Sequence, residues 1–397
     1  PSGVTSIGES AFWGCSSLTS INVAPNNSAY ASQEGILYDK DMSTLITCPD
    51  GKQGYVVIPS TVTHIGAHAF GDCKSLTNIE IPGSVTHIGE QAFDGCWSLT
   101  SIEIPSGVTS IGDGTFYSCR SLTSVQIPSS VTYIGEAAFY ECQSLTSINI
   151  PSGVTYIGEQ AFQRCSSLIS INIPSGVTYI GVSTFSVCSS LTSINIPSGV
   201  TCIGEQAFYS CSSLTSIEIP RSVTSIGEYA FNNCSSLTSV FFQGDAPSIY
   251  SDAFEYVSAT AYYPADNPTW TSNVMKNYGG TIIWIPYTDP KSTPNNGTYT
   301  SPQESVWYDI WCVGVSRFHA ETNFTLNVGD DTYLTGDSRK ARADIPFDLS
   351  EQVSITKDGW ISCQIPQELV YTCREVVLYP DTQKNPFAQF VVARNTG

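Results

Sequence analysis

A single pattern of apolar and polar positions recurs every 23 residues through most of the first 241 residues of the chain. Each copy opens with a proline, and the copies follow one another without a slip from Pro59 to Pro220; with the copy that opens at Pro1 they make nine repeats. A unit of this length cannot bury its own apolar face. We therefore expect consecutive repeats to stack directly on each other and to share one continuous core.

Each repeat contains two extended segments. Residues 99–104, L-T-S-I-E-I, alternate apolar and polar positions and are rich in β-branched side chains, which predicts one short strand per repeat. The proline that follows cannot donate a hydrogen bond to a neighbouring strand and ends it. A second extended segment, V-T-x-I-G, closes with a glycine such as Gly89, which we expect to adopt a backbone conformation that other residues avoid.

The segment E-x-A-F-x-x-C connects the second extended segment to the next strand. It predicts one helical or 3₁₀ turn in each repeat. If repeats stack in register, Phe93, Phe116 and Phe139 lie in file and form an aromatic spine. The inward positions of one repeat are Val85, Ile88, Ala92, Phe93, Cys96, Leu99, Ile102 and Ile104.

The complete motif, F-x-x-C-x-S-L-x-x-I-x-I-P-x-x-V-T-x-I-G, resembles the leucine-rich repeat of the BspA-like surface proteins, which also occurs in treponemal and trichomonad proteins. The resemblance extends over about the first 250 residues. It implies a β-rich leucine-rich-repeat solenoid with a parallel sheet and short helical or 3₁₀ turns. It also implies an adhesin that contacts host matrix proteins, other microbes or glycans.

Departures from the repeat divide the chain into four predicted parts. They are leucine-rich repeats at 1–241 with a β-hairpin insertion at 24–58, a degenerate repeat and C-terminal cap at 242–287, a linker at 288–302, and an antiparallel β-sandwich domain at 303–397. The insertion is either a tolerated excursion between two repeats or a segment that shapes a ligand site. The cap aromatics, which either cover the last repeat or contact a ligand, are Tyr262, Tyr263, Trp270, Tyr278 and Trp284.

Composition narrows the range of partners. The formal charge of −19 opposes binding to nucleic acid or to an anionic membrane, because like charges repel on approach. No run of about 18 apolar residues is present, so we predict no membrane span. No signal peptide is visible, but the sequence opens inside a repeat, and we expect the natural protein to continue upstream.

Nine of the 14 cysteines occupy one column of the repeat, from Cys15 to Cys234. Stacking at about 4.8 Å is poor geometry for a disulfide, whose Cβ atoms are about 3.8 Å apart. We predict small buried thiols, and leave open that some are oxidised or bind a metal.

Few residues offer catalytic chemistry. His64 and His87 occupy one column in adjacent repeats, and His68 lies four residues after His64, so a metal site and simple surface variation are both open. The sequence provides no obvious further ligand and no recognisable catalytic motif. We predict that the chain is not an enzyme and binds no metal or cofactor.

Two outward columns are candidates for binding. Three consecutive tyrosines in the second extended segment predict a stripe about 15 Å long, suited to contacts with proteins or sugars. Recent duplication of similar repeats would produce the same stripe without a ligand, and the amides on the main strand could hydrogen-bond along the ladder instead of binding. The candidate residues are Tyr133, Tyr156, Tyr179, His64 and His87 on the second segment, and Glu80, Glu103, Asn149, Asn172 and Asn195 on the main strand.

Our leading hypothesis is an extracellular or cell-surface adhesion module that binds host or microbial surface proteins or glycans. The main alternative is a carbohydrate-binding module carried by the C-terminal sandwich, with the repeats as a spacer. A third hypothesis is an accessory segment of a larger exported enzyme. The sequence does not specify an oligomeric state.

Overall fold

The computed structural model describes residues 1–8 and 11–287, and the backbone of seven strands between residues 308 and 392. Pro1–Pro286 form one compact unit, and Tyr287–Gly397 form a second. The first unit is a parallel-strand β-solenoid of about 11 turns, here called rungs. No helix occurs among its described residues.

The insertion after the first repeat forms a three-stranded antiparallel meander of β1 (Tyr30–Gln33), β2 (Ile36–Asp39) and β3 (Thr44–Thr47). β3 then pairs in parallel with β5 (His64–Ile65), and β4 (Gln53–Val57) pairs in parallel with β6 (Ser75–Glu80). The insertion therefore supplies a rung of the solenoid, and is not the excursion between two repeats that the sequence left open.

Longer and shorter strands alternate from there onward and form two sides of the solenoid. Equivalent residues pair in register, so that Ile171 lies opposite Ile194 and Ile134 opposite Ile157. The strands are β7 (His87–Ile88), β8 (Ser101–Glu103), β9 (Ser110–Ile111), β10 (Ser124–Gln126), β11 (Tyr133–Ile134), β12 (Ser147–Ile148), β13 (Tyr156–Ile157), β14 (Ser170–Asn172), β15 (Tyr179–Ile180), β16 (Ser193–Asn195), β17 (Cys202–Ile203), β18 (Ser216–Ile219), β19 (Ser225–Ile226), β20 (Ser239–Phe242), β21 (Ser248–Ile249), β22 (Ser258–Pro264) and β23 (Thr281–Tyr287).

The third side of the solenoid is the segment for which the sequence predicted one helical or 3₁₀ turn; no helix forms there, and the N–H groups of Ala92 and Asp94 close single turns to the carbonyls three residues back, at 3.3 and 3.0 Å. The N–H groups of Gln91, Phe93 and Gly95 donate to carbonyls of the next rung at 2.8 to 2.9 Å, not to carbonyls four residues back. Gln91 and Gly95 adopt left-handed backbone angles, φ of 53° and 69°, which break any helix. Rung-to-rung hydrogen bonding thus extends to this side as well.

The repeated glycine is needed for close approach, and not for the unusual conformation that we expected. Gly89 and Gly158 are not among the residues with positive φ. A Cβ added to Gly158 would lie 2.5 Å from the backbone of Glu136 and Gly135 in the rung before, closer than any real Cβ contact. The backbones of consecutive rungs meet here, and only glycine leaves the necessary space.

Phenylalanines fill the centre of the solenoid and form the predicted spine. Phe93, Phe116 and Phe139 lie in file with ring centroids 5.4 and 5.3 Å apart, and their planes are nearly parallel. The file runs without interruption from Phe70 to Phe254. This confirms the premise that like residues of successive repeats share a row.

The residue before the repeated phenylalanine is alanine in most rungs, but it is threonine in two of them, at Thr115 and Thr184. The ladder of short strands is interrupted before each of these two rungs. The buried hydroxyl of Thr115 donates to Gly112 O at 2.8 Å, and a Cβ on Gly112 would meet its nearest neighbour only at 3.6 Å. β7 and β9 fall in separate ladders, as do β13 and β15 before the rung of Thr184. We call these two boundaries seams. The larger side chain of threonine holds the two rungs further apart on this side.

Aromatic side chains close the C-terminal end of the first unit. Trp270 packs edge-on against Phe242 at 4.8 Å and donates from Nε1 to Gly244 O at 3.0 Å, and Trp284 lies 5.5 Å from Trp270. Tyr262 is an exception among the predicted cap residues, because it stacks on Phe241 in the outward column of the long strands.

The described strands of the second unit form two antiparallel sheets, in the orders β27-β24-β29-β30 and β26-β25-β28. The linker predicted at 288–302 lies outside the described residues, and so do the side chains and connections of the predicted sandwich. The strands are β24 (Tyr308–Val313), β25 (Asn323–Val328), β26 (Asp331–Asp337), β27 (Phe347–Asp348), β28 (Ile361–Gln364), β29 (Glu375–Pro380) and β30 (Phe390–Val392).

The glycine column provides a matched test of rung-to-rung contact. We expect Gly158→Ala to lower the free energy of unfolding by about 1 to 3 kcal/mol, because its Cβ would overlap the backbone of the preceding rung. Gly112→Ala is the control, since its Cβ would meet only ordinary contacts. Urea unfolding followed by circular dichroism measures both, and equal losses for the two variants would contradict the close-approach explanation.

Candidate functional site

The short strands present one outward side chain per rung. From β5 to β19 the second residue of each short strand is a buried isoleucine, and the first lies on the outer side, where it is exposed or half-buried. His64 pairs with His87, and Tyr133 pairs with Tyr156, so like side chains lie side by side. We call this side of the solenoid, from β5 to β21, the short-strand face.

Tyr133 and Tyr156 form a two-ring stack on the short-strand face. Their centroids are 4.9 Å apart, their planes differ by 5°, and 39% and 43% of the two residues remain exposed. The third tyrosine of the predicted stripe is not part of this stack. Tyr179 is half-buried, is separated from Tyr156 by the second seam, and pairs with Cys202 in the next rung. No ring stack between Tyr156 and Tyr179 occurs within the described part of the chain.

Carboxylates accompany the tyrosines, a feature that the sequence analysis did not single out. Burial raises the pKa of Tyr133 most, the charge of Asp113 raises it next, and Tyr156, Glu136 and Glu90 raise it further. Asp113 also accepts a hydrogen bond from the Glu136 N–H at 2.8 Å. The signal was present in the sequence, because an acidic residue follows the repeated glycine in most rungs.

The two outward histidines are neighbours, but they do not gather a metal site. The rings of His64 and His87 lie 5.7 Å apart at a 47° tilt, and His64 Nδ1 is 2.8 Å from the Thr63 hydroxyl. His68 lies elsewhere, edge-on to Trp13 at 5.2 Å. Within the described residues, no three His, Cys, Asp or Glu side chains are placed to hold a metal ion.

The long strands present a polar outward column. Asn149, Asn172 and Asn195 are exposed, and Asn172 lies directly opposite Asn195. Their amides form no side-chain hydrogen bond to another described residue, so they do not make the ladder that was one alternative. Glu103 is also exposed, while Glu80 accepts a hydrogen bond from the Tyr55 hydroxyl.

The cysteine column belongs to the core. From Cys96 onward each thiol donates to the carbonyl of the phenylalanine in the preceding rung, as Cys165 does to Phe139 O at 3.1 Å. Burial raises the pKa of Cys165 to about 12. These thiols are free, and they stay protonated in the folded chain. Cys15 departs from the prediction of a buried column, since it is exposed.

Basic side chains cluster on the edge between the turn segment and the long strands, which we call the turn edge. Trp97, 40% exposed, lies between Lys74 at 4.6 Å and Arg120 at 5.0 Å from its ring centroid. Glu141 forms ion pairs with Arg120 at 3.1 Å and Arg164 at 3.4 Å. Cations from both neighbouring rungs thus cover Trp97, an arrangement that the sequence analysis missed.

A family model for the BspA-type leucine-rich-repeat region matches residues 1–38, 48–169 and 156–269, in six copies. The chain belongs to this BspA-type family. The match covers the solenoid that carries both outward columns, so the resemblance seen in the motif is confirmed. No curated protein matches the chain.

Several solved structures of bacterial leucine-rich-repeat proteins are similar to parts of the chain. A protein from T. pallidum is 31% identical, over 50% of this chain and 86% of that one, with a TM-score of 0.40. A protein from Eubacterium ventriosum is 28% identical, over 60% of this chain and 58% of that one, with a TM-score of 0.41. A leucine-rich cell surface protein from Faecalibacterium prausnitzii is 27% identical, over 64% and 86%, with a TM-score of 0.32.

The described residues include no helix with the length and apolar character needed to cross a bilayer.

The buried thiols predict a sharp contrast in reactivity. With iodoacetamide near pH 8, we expect Cys15 and Cys202 of the folded chain to be alkylated and Cys165 to stay unmodified, because the raised pKa and burial of Cys165 remove both thiolate and access. Peptide mass spectrometry measures each site. The same treatment in urea is the control, in which all three become labelled. Rapid labelling of Cys165 without urea would contradict the burial of the column.

Proposed function

We propose that this chain is an extracellular or cell-surface adhesion module, which binds host or microbial surface proteins or glycans through the sides of its solenoid. Membership of the BspA-type family supports a binding role. In this proposal residues 1–241 bind, residues 242–287 close the solenoid, and residues 288–302 link it to the domain at 303–397. The proposal includes no catalysed reaction.

The observation that carries the proposal is the exposed stack of Tyr133 and Tyr156. The inward positions are nearly uniform from rung to rung, whereas the outward column of the short strands changes from histidine through serine to tyrosine. Two parallel aromatic rings in solvent leave apolar area exposed, and burying it on binding stabilises a complex by about 25 cal/mol per Å². Tyrosine is also enriched at protein interfaces, where its ring packs and its hydroxyl forms hydrogen bonds.

The alternative, a carbohydrate-binding C-terminal domain with the repeats as a spacer, depends on side chains of residues 303–397. Those side chains lie outside the described residues.

Substituting the outward tyrosines separates binding from folding. We expect Tyr133→Ser, Tyr156→Ser and Tyr179→Ser together to abolish capture of ligands on an array of matrix proteins and glycans. The free energy of unfolding should fall by less than about 1 kcal/mol per position, as for exposed cross-strand pairs. Thermal unfolding and the array measure the two effects.

The matched control is Asn149→Ser, Asn172→Ser and Asn195→Ser, which changes three exposed residues of the other outward column. We expect this variant to keep the wild-type binding pattern. Loss of binding in the asparagine variant alone would assign recognition to the long strands and overturn the role of the tyrosines.

A further inference from the structure

The tyrosine stack lies beside a row of negative charge. Each residue that follows the repeated glycine in the four rungs around the stack is acidic: Glu90, Asp113, Glu136 and Glu159. Each of them follows the short strand of its rung by two residues, and Asp113 accepts a hydrogen bond from the Glu136 N–H at 2.8 Å, so the row runs beside the column of aromatic rings. None of the four forms an ion pair with any described residue.

The positive charges of the solenoid lie elsewhere. Residues 59–241 contain 12 carboxylates and only four basic residues. Three of the four, Lys74, Arg120 and Arg164, are on the turn edge, where they contact Trp97, Asp72 or Glu141. The fourth, Arg221, precedes the short strand of its rung by four residues. Among the described residues, no cation compensates the negative charge on the aromatic part of the short-strand face.

We propose that the partner of this face is a cationic polypeptide segment, rich in arginine or lysine, that lies along the row formed by the tyrosine rings and the carboxylates. This inference rests on the proposed binding function and names the class of partner. A guanidinium or ammonium group is attracted both to the face of an aromatic ring and to a carboxylate beside it. An anionic glycan would be repelled by the same row.

The spacing of the face suits an extended segment. The stacked rings repeat at 4.9 Å, so each rung adds one ring or one carboxylate along the solenoid axis. In an extended chain, side chains on one side recur about every 6.7 Å. Basic side chains are long and flexible enough to reach acceptors that are spaced more closely than this. Arginine should bind more tightly than lysine, because its planar guanidinium stacks on tyrosine.

The test uses the complete chain and synthetic peptides of about 12 residues in which serine alternates with arginine, lysine, glutamine or glutamate. Fluorescence anisotropy of labelled peptides measures affinity. We expect the arginine peptide to bind most tightly, the lysine peptide next, and the other two not at all. Binding should weaken steeply between about 50 and 500 mM salt, because exposed charges are screened.

Two sets of variants locate the contact. We expect the affinity for the arginine peptide to fall by at least about fivefold in the combined variant Glu90→Gln, Glu136→Gln and Glu159→Gln. The same loss is expected in the variant that combines Tyr133→Ser with Tyr156→Ser. Tyr133→Phe with Tyr156→Phe keeps both rings and should retain affinity within about twofold. The matched control, Glu141→Gln, Glu218→Gln and Glu255→Gln, removes the same number of charges away from the short-strand face and should also stay within about twofold.

Three results would overturn the inference: no binding of either basic peptide, equal weakening by both glutamate sets, or capture of a neutral glycan that the tyrosine substitutions abolish and the glutamate substitutions leave intact. The last result would still leave the short-strand face as a binding surface, so failure of the cationic partner is distinguishable from failure of the proposed function. If instead the variants with serine in place of the tyrosines bind every ligand that the wild-type chain binds, both proposals are wrong.

Discussion

Register between neighbouring rungs is the constraint on which this structure depends. Away from the two seams, each rung lies so close to the one before that the repeated glycine has no room for a side chain, as at Gly158. At that separation the backbone of all three sides hydrogen-bonds from rung to rung and the phenylalanine rings stack. From Cys96 onward, each thiol of the cysteine column also reaches the carbonyl of the phenylalanine in the preceding rung. A slip of one residue would break these contacts together, which explains why the inward positions vary so little.

The same constraint leaves the outward positions free. A residue such as Tyr133 can change without disturbing the core, because its neighbour Ile134 supplies the buried contact. Where the short-strand ladder is unbroken between two adjacent rungs that carry the same outward residue, register stacks the two side chains, as it does Tyr133 and Tyr156 but not Tyr156 and Tyr179 across the second seam. The binding function proposed here therefore depends on neighbouring pairs of outward residues and on the charges beside them.

The sequence predicted the repeat, its inward columns and the file of phenylalanines, because a strict period fixes which residues meet. It predicted less well where one residue type serves two physical roles. The glycine column fits a left-handed turn and close packing equally, and only coordinates distinguish the two at Gly89. The helical turn failed because Gln91 bonds to the next rung, a contact that local propensity does not encode. The surroundings of Trp97 depend on Lys74 and Arg120 of other rungs, and Tyr179 borders the seam at which the ladder between β13 and β15 is broken.

The seams at Thr115 and Thr184 have a mechanical consequence. They divide the short-strand side into panels, and the panel between them contains β9, β11 and β13, including both stacked tyrosines. Across each seam the long strands still pair, as β8 does with β10 and β14 with β16, the turn segments still hydrogen-bond, and the phenylalanine rings still stack. A force along the solenoid axis is therefore carried at these two boundaries by two sides and the core, and not by the short strands.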